Sequence, residues 1–118
     1  MKKKILFISI VLITKIAISQ TVSVDSAKFY EGKTITVCGK VVDSYISKGE
    51  KKNVKLNFDK PYPETPFIVM IFEADLPSFK YNPAEFLINK NVCATGVVKI
   101  YKDKPEIVIS SPEQLIIK

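Results

Sequence analysis

Two stretches of the chain echo each other: "TITVCGKVVDSY" at 34–45 and "NVCATGVVKIYK" at 91–102. Each runs through apolar residues and a cysteine to a glycine, then two valines, then an aromatic. The β-branched content marks both as strands, yet glycine weakens a strand interior because it brings no side chain to pack. A central glycine fits a strand that bends sharply, where it lets the backbone coil without a side chain clashing in a tight interior. Lys33 and Lys90 each stand six residues before their glycine, which extends the echo. The pair points to a small, strongly coiled β-barrel.

The segment before that barrel has a different character. "MKKK" is a positively charged start, "ILFISIVLITKIAIS" is an apolar run, and Ala17 and Ser19 are the small residues a signal peptidase reads. Residues 1–19 therefore read as a secretory signal peptide cut between Ser19 and Gln20. Lys15 interrupts the run, leaving fewer than the roughly 18 uninterrupted apolar residues of a spanning helix. The mature chain is expected to be exported, periplasmic or secreted, with no integral membrane segment. Cleavage also changes the charge. Of 18 lysines, four (Lys2, Lys3, Lys4 and Lys15) leave with the signal and none of the 12 acidic residues does, so 14 minus 12 gives +2.

Every positive charge is a lysine. Lysine serves phosphates as a point charge but lacks the guanidinium fork that reads guanine edges in a duplex. Sequence-specific duplex recognition is not expected. The chain has no histidine, which removes imidazole acid–base catalysis, triads and imidazole metal sites. Two cysteines alone do not build a four-ligand zinc site. "GKT" at 32–34 lacks the upstream glycine of a phosphate-binding loop and precedes a strand rather than a helix. Glu73 and Asp75 read as a solvated strand end. No enzyme, no metal and no cofactor is expected.

The rest of the chain orders itself by period and punctuation. Residues 20–33 form a lead-in expected to pair with or wrap the start of the domain, 34–47 a long first strand, and "KGEKKN" a lysine-rich loop. "VKLNFD" (54–59) alternates apolar and polar as a half-buried strand does. "KPYPETP" is a proline-rich loop, and "FIVMIFEA" (67–74) is an apolar run of strand length. A helix fits only within 76–90 and can be little more than two turns, with Asn82 as cap, Pro83 at its first position, and Phe86 and Leu87 facing inward. Strands at 91–102 and 106–111 follow, joined by the tight "KDKP" connection, and "PEQLIIK" ends the chain as a short turn and extended piece. The expected fold is all-β: a five-stranded OB-fold Greek-key barrel over 34–118, with one short helix between strands three and four.

The stretches "GKTITVCGKVV", "LNFDKPYPETPFIVMIF" and "VCATGVVKIYKDKPEIVISSPEQL" together resemble the small exported bacterial OB-fold domains of the nucleic-acid-binding type. The likeness covers residues 31–117, and "YKDKPEIVI" and "SSPEQL" are also similar to OB domains attached to tRNA synthetases and helicases. It implies an OB barrel of the nucleic-acid-binding kind.

OB domains bind across strands two and three, between the loop after strand one and the loop joining strands four and five. With Leu56 and Phe58 inward, Lys55 and Asn57 face that groove. The first loop offers Tyr45, Lys48, Lys51 and Lys52, and the second offers Tyr101, Lys102 and Lys104. Met70 and Phe72 are assigned outward on strand three. Lysines beside aromatic rings suit single-stranded DNA or RNA, or another anionic polymer, with charge for the backbone and rings for stacking. A protein or oligosaccharide partner on the same face is the alternative, and the domain reads as a monomer. Cys38 and Cys93 share alternation parity on neighbouring strands, so they form either a disulfide or two buried free thiols.

Overall fold

A computed structural model describes residues 20–118; the signal segment read at 1–19 lies outside them. In chain order the strands are β1 (Gln20–Val22), β2 (Thr34–Ile46), β3 (Val54–Phe58), β4 (Ile68–Ile71), β5 (Asn91–Tyr101), β6 (Lys104–Val108) and β7 (Leu115–Ile117). A single helical turn, α1 (Pro83–Phe86), lies between β4 and β5. The protein is mostly β, as expected, but the described residues form seven strands where five were expected. The lead-in supplies β1, which runs parallel to β2, and the tail supplies β7, antiparallel to β5.

The sheet order is β1-β2-β3-β4-β6-β5-β7, and β2 also pairs with β5, so five strands return on themselves. Both echo strands are shared between the two halves of this ring. β2 pairs with β5 from Thr34 to Lys40, then with β3 from Val41 to Ile46. β5 pairs with β2 through Val97, then with β6 from Val98 to Tyr101.

The glycines sit where these strands are most crowded. A Cβ on Gly39 would lie 2.9 Å from Val24 Cγ1, 3.0 Å from Phe58 Cδ2 and 3.1 Å from Asp59 Oδ1. On Gly96 it would lie 2.6 Å from Ile107 Cγ2. Neither glycine adopts a positive φ. Close approach, rather than an unusual backbone angle, is what requires them. The irregularity in β2 falls further on, as a register shift between Val41 and Asp43.

Inside the ring, Leu56, Phe58, Phe67, Ile35, Ile71, Leu87 and Ile107 are fully buried. Phe58 and Phe67 meet edge to face, with centroids 5.0 Å apart. α1 rests on the core through Ala84 and Leu87, and Asn82 accepts a hydrogen bond from the Ala84 N–H at 3.1 Å. Three local expectations need correction. The helix is one turn, not two. Phe86 is 45% exposed rather than inward, because it stacks against Tyr81 and under the Lys90 ammonium. The strand read at 67–74 stops at Ile71, since Glu73–Ser78 winds into a 3-10 helix.

Cys38 and Cys93 are direct cross-strand partners, with Cα atoms 4.0 Å apart, and form a disulfide. The bond clamps β2 to β5 along the seam that closes the ring, next to a hydrogen bond between the Thr36 and Thr95 hydroxyls. It joins residues 55 apart in sequence, and restricting the unfolded chain in this way stabilises by about 4 kcal/mol.

Two measurements check these statements. Urea unfolding of the Cys38→Ser/Cys93→Ser double variant should show a loss of about 4 kcal/mol. Gly96→Ala, which drives a methyl into Ile107, should lose about 1–3 kcal/mol with the disulfide intact. Wild-type stability in the glycine variant would remove close approach as the reason for Gly96.

Candidate functional site

The outer face of the ring is set by side-chain parity along β3. Leu56 and Phe58 are in the core, so Lys55 and Asn57 point the other way. Across the sheet, Lys55 lies opposite Tyr45 on β2 and Met70 on β4, and Asn57 lies opposite Asp43 and Ile68. Val41 pairs with Phe58 on the core side, so regular alternation would also send Asp43 and Tyr45 inward. The one-residue register shift between Val41 and Asp43 reverses them. A bulge re-aims side chains in this way, and here it sets Asp43 beside Asn57 and Tyr45 beside Lys55.

These residues line a groove of about 480 Å³, completed by Ser44, Tyr62, Ile68, Tyr101, Lys102 and Lys104. Asn57 and Ile68 form its buried floor, at 3% and 4% exposed. Tyr45, Tyr62 and Tyr101 stand exposed around it. Asn57 Nδ2 donates to Asp43 Oδ1 at 2.6 Å, and the Ser44 hydroxyl donates to the Ala84 carbonyl at 2.7 Å.

The far side of the groove is carried by two loops. Lys102 and Asp103 both have positive φ between the paired residues Tyr101 and Lys104, so the tight connection expected at "KDKP" is a two-residue turn, and β6 starts at Lys104 rather than at 106. The proline-rich loop carries Tyr62 and is fixed by Thr65, which is buried. The Thr65 hydroxyl accepts from the Phe58 N–H at 3.0 Å and lies within 2.9 Å of the Phe58 and Phe67 carbonyls. Lys104 Nζ donates to the Thr65 carbonyl at 3.1 Å, which joins the two loops. Ammonium groups lie over the rings: Lys55 is 4.7 Å and Lys102 5.5 Å from the Tyr101 centroid, and Lys104 is 5.8 Å from that of Tyr62.

Of the residues singled out from the sequence, the groove gathers Tyr45, Lys55, Asn57, Tyr101, Lys102 and Lys104. Lys51 and Phe72 line a separate cleft with Asn53, Glu73, Ala74, Asp75 and Pro77. There the Glu73 carboxylate accepts the Lys52 N–H at 2.7 Å, fastening the lysine-rich loop to the end of β4. Lys48 and Lys52 line neither depression, and Met70 is half-buried between Lys55 and Val108. Sequence reasoning misses Asp43, Ser44, Tyr62 and Ile68. A tyrosine between two prolines is the available signal for Tyr62. Parity argues against Asp43, since nothing in "VVDSY" announces the bulge.

Burial pushes the Tyr81 phenol above its usual pKa, but Tyr81 packs with Phe79 and Phe86 near α1 and not in the groove. Among the described residues no group of three or more His, Cys, Asp or Glu side chains is placed to hold a metal ion. No helix among them is long and apolar enough to cross a membrane. Comparison with protein-family models and with curated proteins finds no match to this chain.

The anchoring of Tyr62 is open to test. Thr65→Val removes a buried hydroxyl shared by three backbone groups and should cost about 1–3 kcal/mol in urea unfolding. Hydrogen exchange should quicken in residues 60–66 ahead of the rest of the chain. Unchanged exchange there would mean that Thr65 does not hold the loop.

Proposed function

We propose that this is an exported, non-catalytic binding module of the OB type. It takes single-stranded nucleic acid, or another anionic polymer of similar spacing, across the groove between β2, β3 and the β5–β6 turn. The observation that carries this reading is the gathering of three tyrosines and three lysines around one groove: Tyr45, Tyr62 and Tyr101 with Lys55, Lys102 and Lys104. Rings stack on bases, and ammonium groups neutralise the backbone phosphates between them. The pre-existing contacts of Lys55, Lys102 and Lys104 with tyrosine rings and with a loop carbonyl hold both kinds of group near their working positions.

The topology supports the fold half of the proposal. A ring of β2, β3, β4, β6 and β5, with one α-helical turn between the third and fourth of these in sequence, fits the five-stranded barrel and single helix expected of an OB fold. In such barrels the face of the second and third strands is the ligand surface, and here that face holds the groove. Export is supported by the charged and apolar segment at 1–19 and by a disulfide of the kind that persists in oxidising compartments. The sequence holds no imidazole to move protons at the groove, and the Asp43 carboxylate is hydrogen-bonded to an amide, so the proposal includes no catalytic step.

Fluorescence polarisation of residues 20–118 with a labelled mixed-sequence DNA ten-mer tests the reading. Binding is expected in the roughly 1–100 μM range and should weaken steeply with salt. Replacing Lys55, Lys102 and Lys104 with alanine should flatten the logarithmic salt slope by about 0.7 for each phosphate no longer neutralised. Tyr101→Ala should weaken binding by about 1–3 kcal/mol. The absence of binding at low salt, or salt-independent capture of a protein or neutral oligosaccharide on this face, would overturn the proposal.

A further inference from the structure

Within that reading, on which this inference rests, we propose that the groove selects among bases through Asp43, favouring guanine and disfavouring thymine or uracil. Among the described residues Asp43 is the only carboxylate lining the groove, where it lies among three lysines. For a site that merely tracks phosphates, a negative charge in that position is a defect, because it repels the ligand that the lysines attract. The carboxylate is also held in place. Asn57, buried in the floor, donates to Oδ1 at 2.6 Å, the one hydrogen bond to the Asp43 side chain among the described residues. A carboxylate offers about four acceptor positions, so Oδ2 and the second lone pair of Oδ1 remain for a ligand.

The chemistry of the remaining lining residues narrows what those positions can receive. Lysine ammonium groups only donate, and the Ser44 hydroxyl hydrogen is already given to a carbonyl. Asp43 is the groove's acceptor-only group, so the part of the ligand beside it must carry N–H or O–H. A DNA backbone has neither, so the donor must come from a base. Guanine presents N1–H and the N2 amino group side by side, matching two carboxylate oxygens. Cytosine and adenine each present one exocyclic amino group beside a ring acceptor. Thymine presents a single N3–H between two carbonyls, and both carbonyls would face the carboxylate. The expected order is guanine first, cytosine and adenine between, thymine last. The groove has room for a base, the exposed ring of Tyr45 is there to stack on it, and that of Tyr101 joins as Lys55 and Lys102 turn from it to the phosphates.

The test uses labelled DNA ten-mers of thymidine, either uniform or with one central dG, dC or dA. A single guanine avoids self-association of G-rich strands, and DNA removes the 2′-hydroxyl as a competing donor. With residues 20–118 at low salt, the dG ten-mer should bind about tenfold or more tighter than the all-thymidine one. Asp43→Asn keeps an acceptor for Asn57 and adds a donor suited to thymine carbonyls. It should tighten the all-thymidine ten-mer and collapse the guanine preference to within about threefold. The wild-type ratio stands as a test even if the variant unfolds. Equal wild-type affinities for all four ten-mers would overturn the inference and leave a groove that reads only backbone and stacking. Binding of none of them, or of a neutral hexasaccharide in their place, would overturn the proposed function as well.

Discussion

The rest of the structure depends on how closely β2 is approached at Gly39. Val24 from the lead-in and Phe58 and Asp59 from the end of β3 close over this position, with no space left for a side chain. Asp59 adopts positive φ there, its N–H donates to the Lys40 carbonyl at 2.8 Å, and its carboxylate accepts the Lys40 N–H at 3.2 Å. That latch is where β2 exchanges β5 for β3 as its partner, and so where a flat sheet becomes a closed ring. A small chain gains from closure, because a ring of strands covers its own core and leaves fewer free edges.

The change of partner also produces the groove. Just past the latch the register slips by one, and Asp43 and Tyr45 turn to the outer face beside Asn57 and Lys55. Closure and site construction are thus successive consequences of one bend. The disulfide acts on the same seam from the other side. It ties Cys38, next to Gly39, to the strand whose far end carries Tyr101. Stabilising the seam therefore holds the two halves of the groove in one relation, although Cys38 and Cys93 belong to none of its lining.

Much of this is legible in the residues. The paired glycines announce shared, crowded strands, and alternation in "VKLNF" sends Lys55 and Asn57 outward correctly. The tight turn read in "KDKP" brings Tyr101 and Lys104 face to face, and Asn82 with Pro83 marks the helix start. What stays hidden has specific physical causes. β1 and β7 are three residues each, too short for any period to register, so the sequence shows only a lead-in and a final extended piece and not the partners distant in sequence that hold them. Phe86 follows an inward helical pattern, but one turn of helix has too little face to bury both it and Leu87. The bulge conceals Asp43. Loop membership groups the lysines at 48, 51 and 52 with the site, while Ser47 and Glu73 hold that loop through backbone contacts that no sequence pattern displays.

Amide chemical-shift mapping tests the central claim, that ligand lies across this groove, more directly than any affinity. A 15N-labelled domain titrated with a single-stranded DNA ten-mer should show its largest shifts at Asp43, Ser44, Tyr45, Lys55, Asn57, Tyr62, Tyr101, Lys102 and Lys104. Phe72, Glu73 and Asp75 at the second cleft, and Ile116 and Ile117 on β7, should stay nearly still. Shifts centred on that cleft or on β7, with the groove unmoved, would contradict the account even if the oligonucleotide bound.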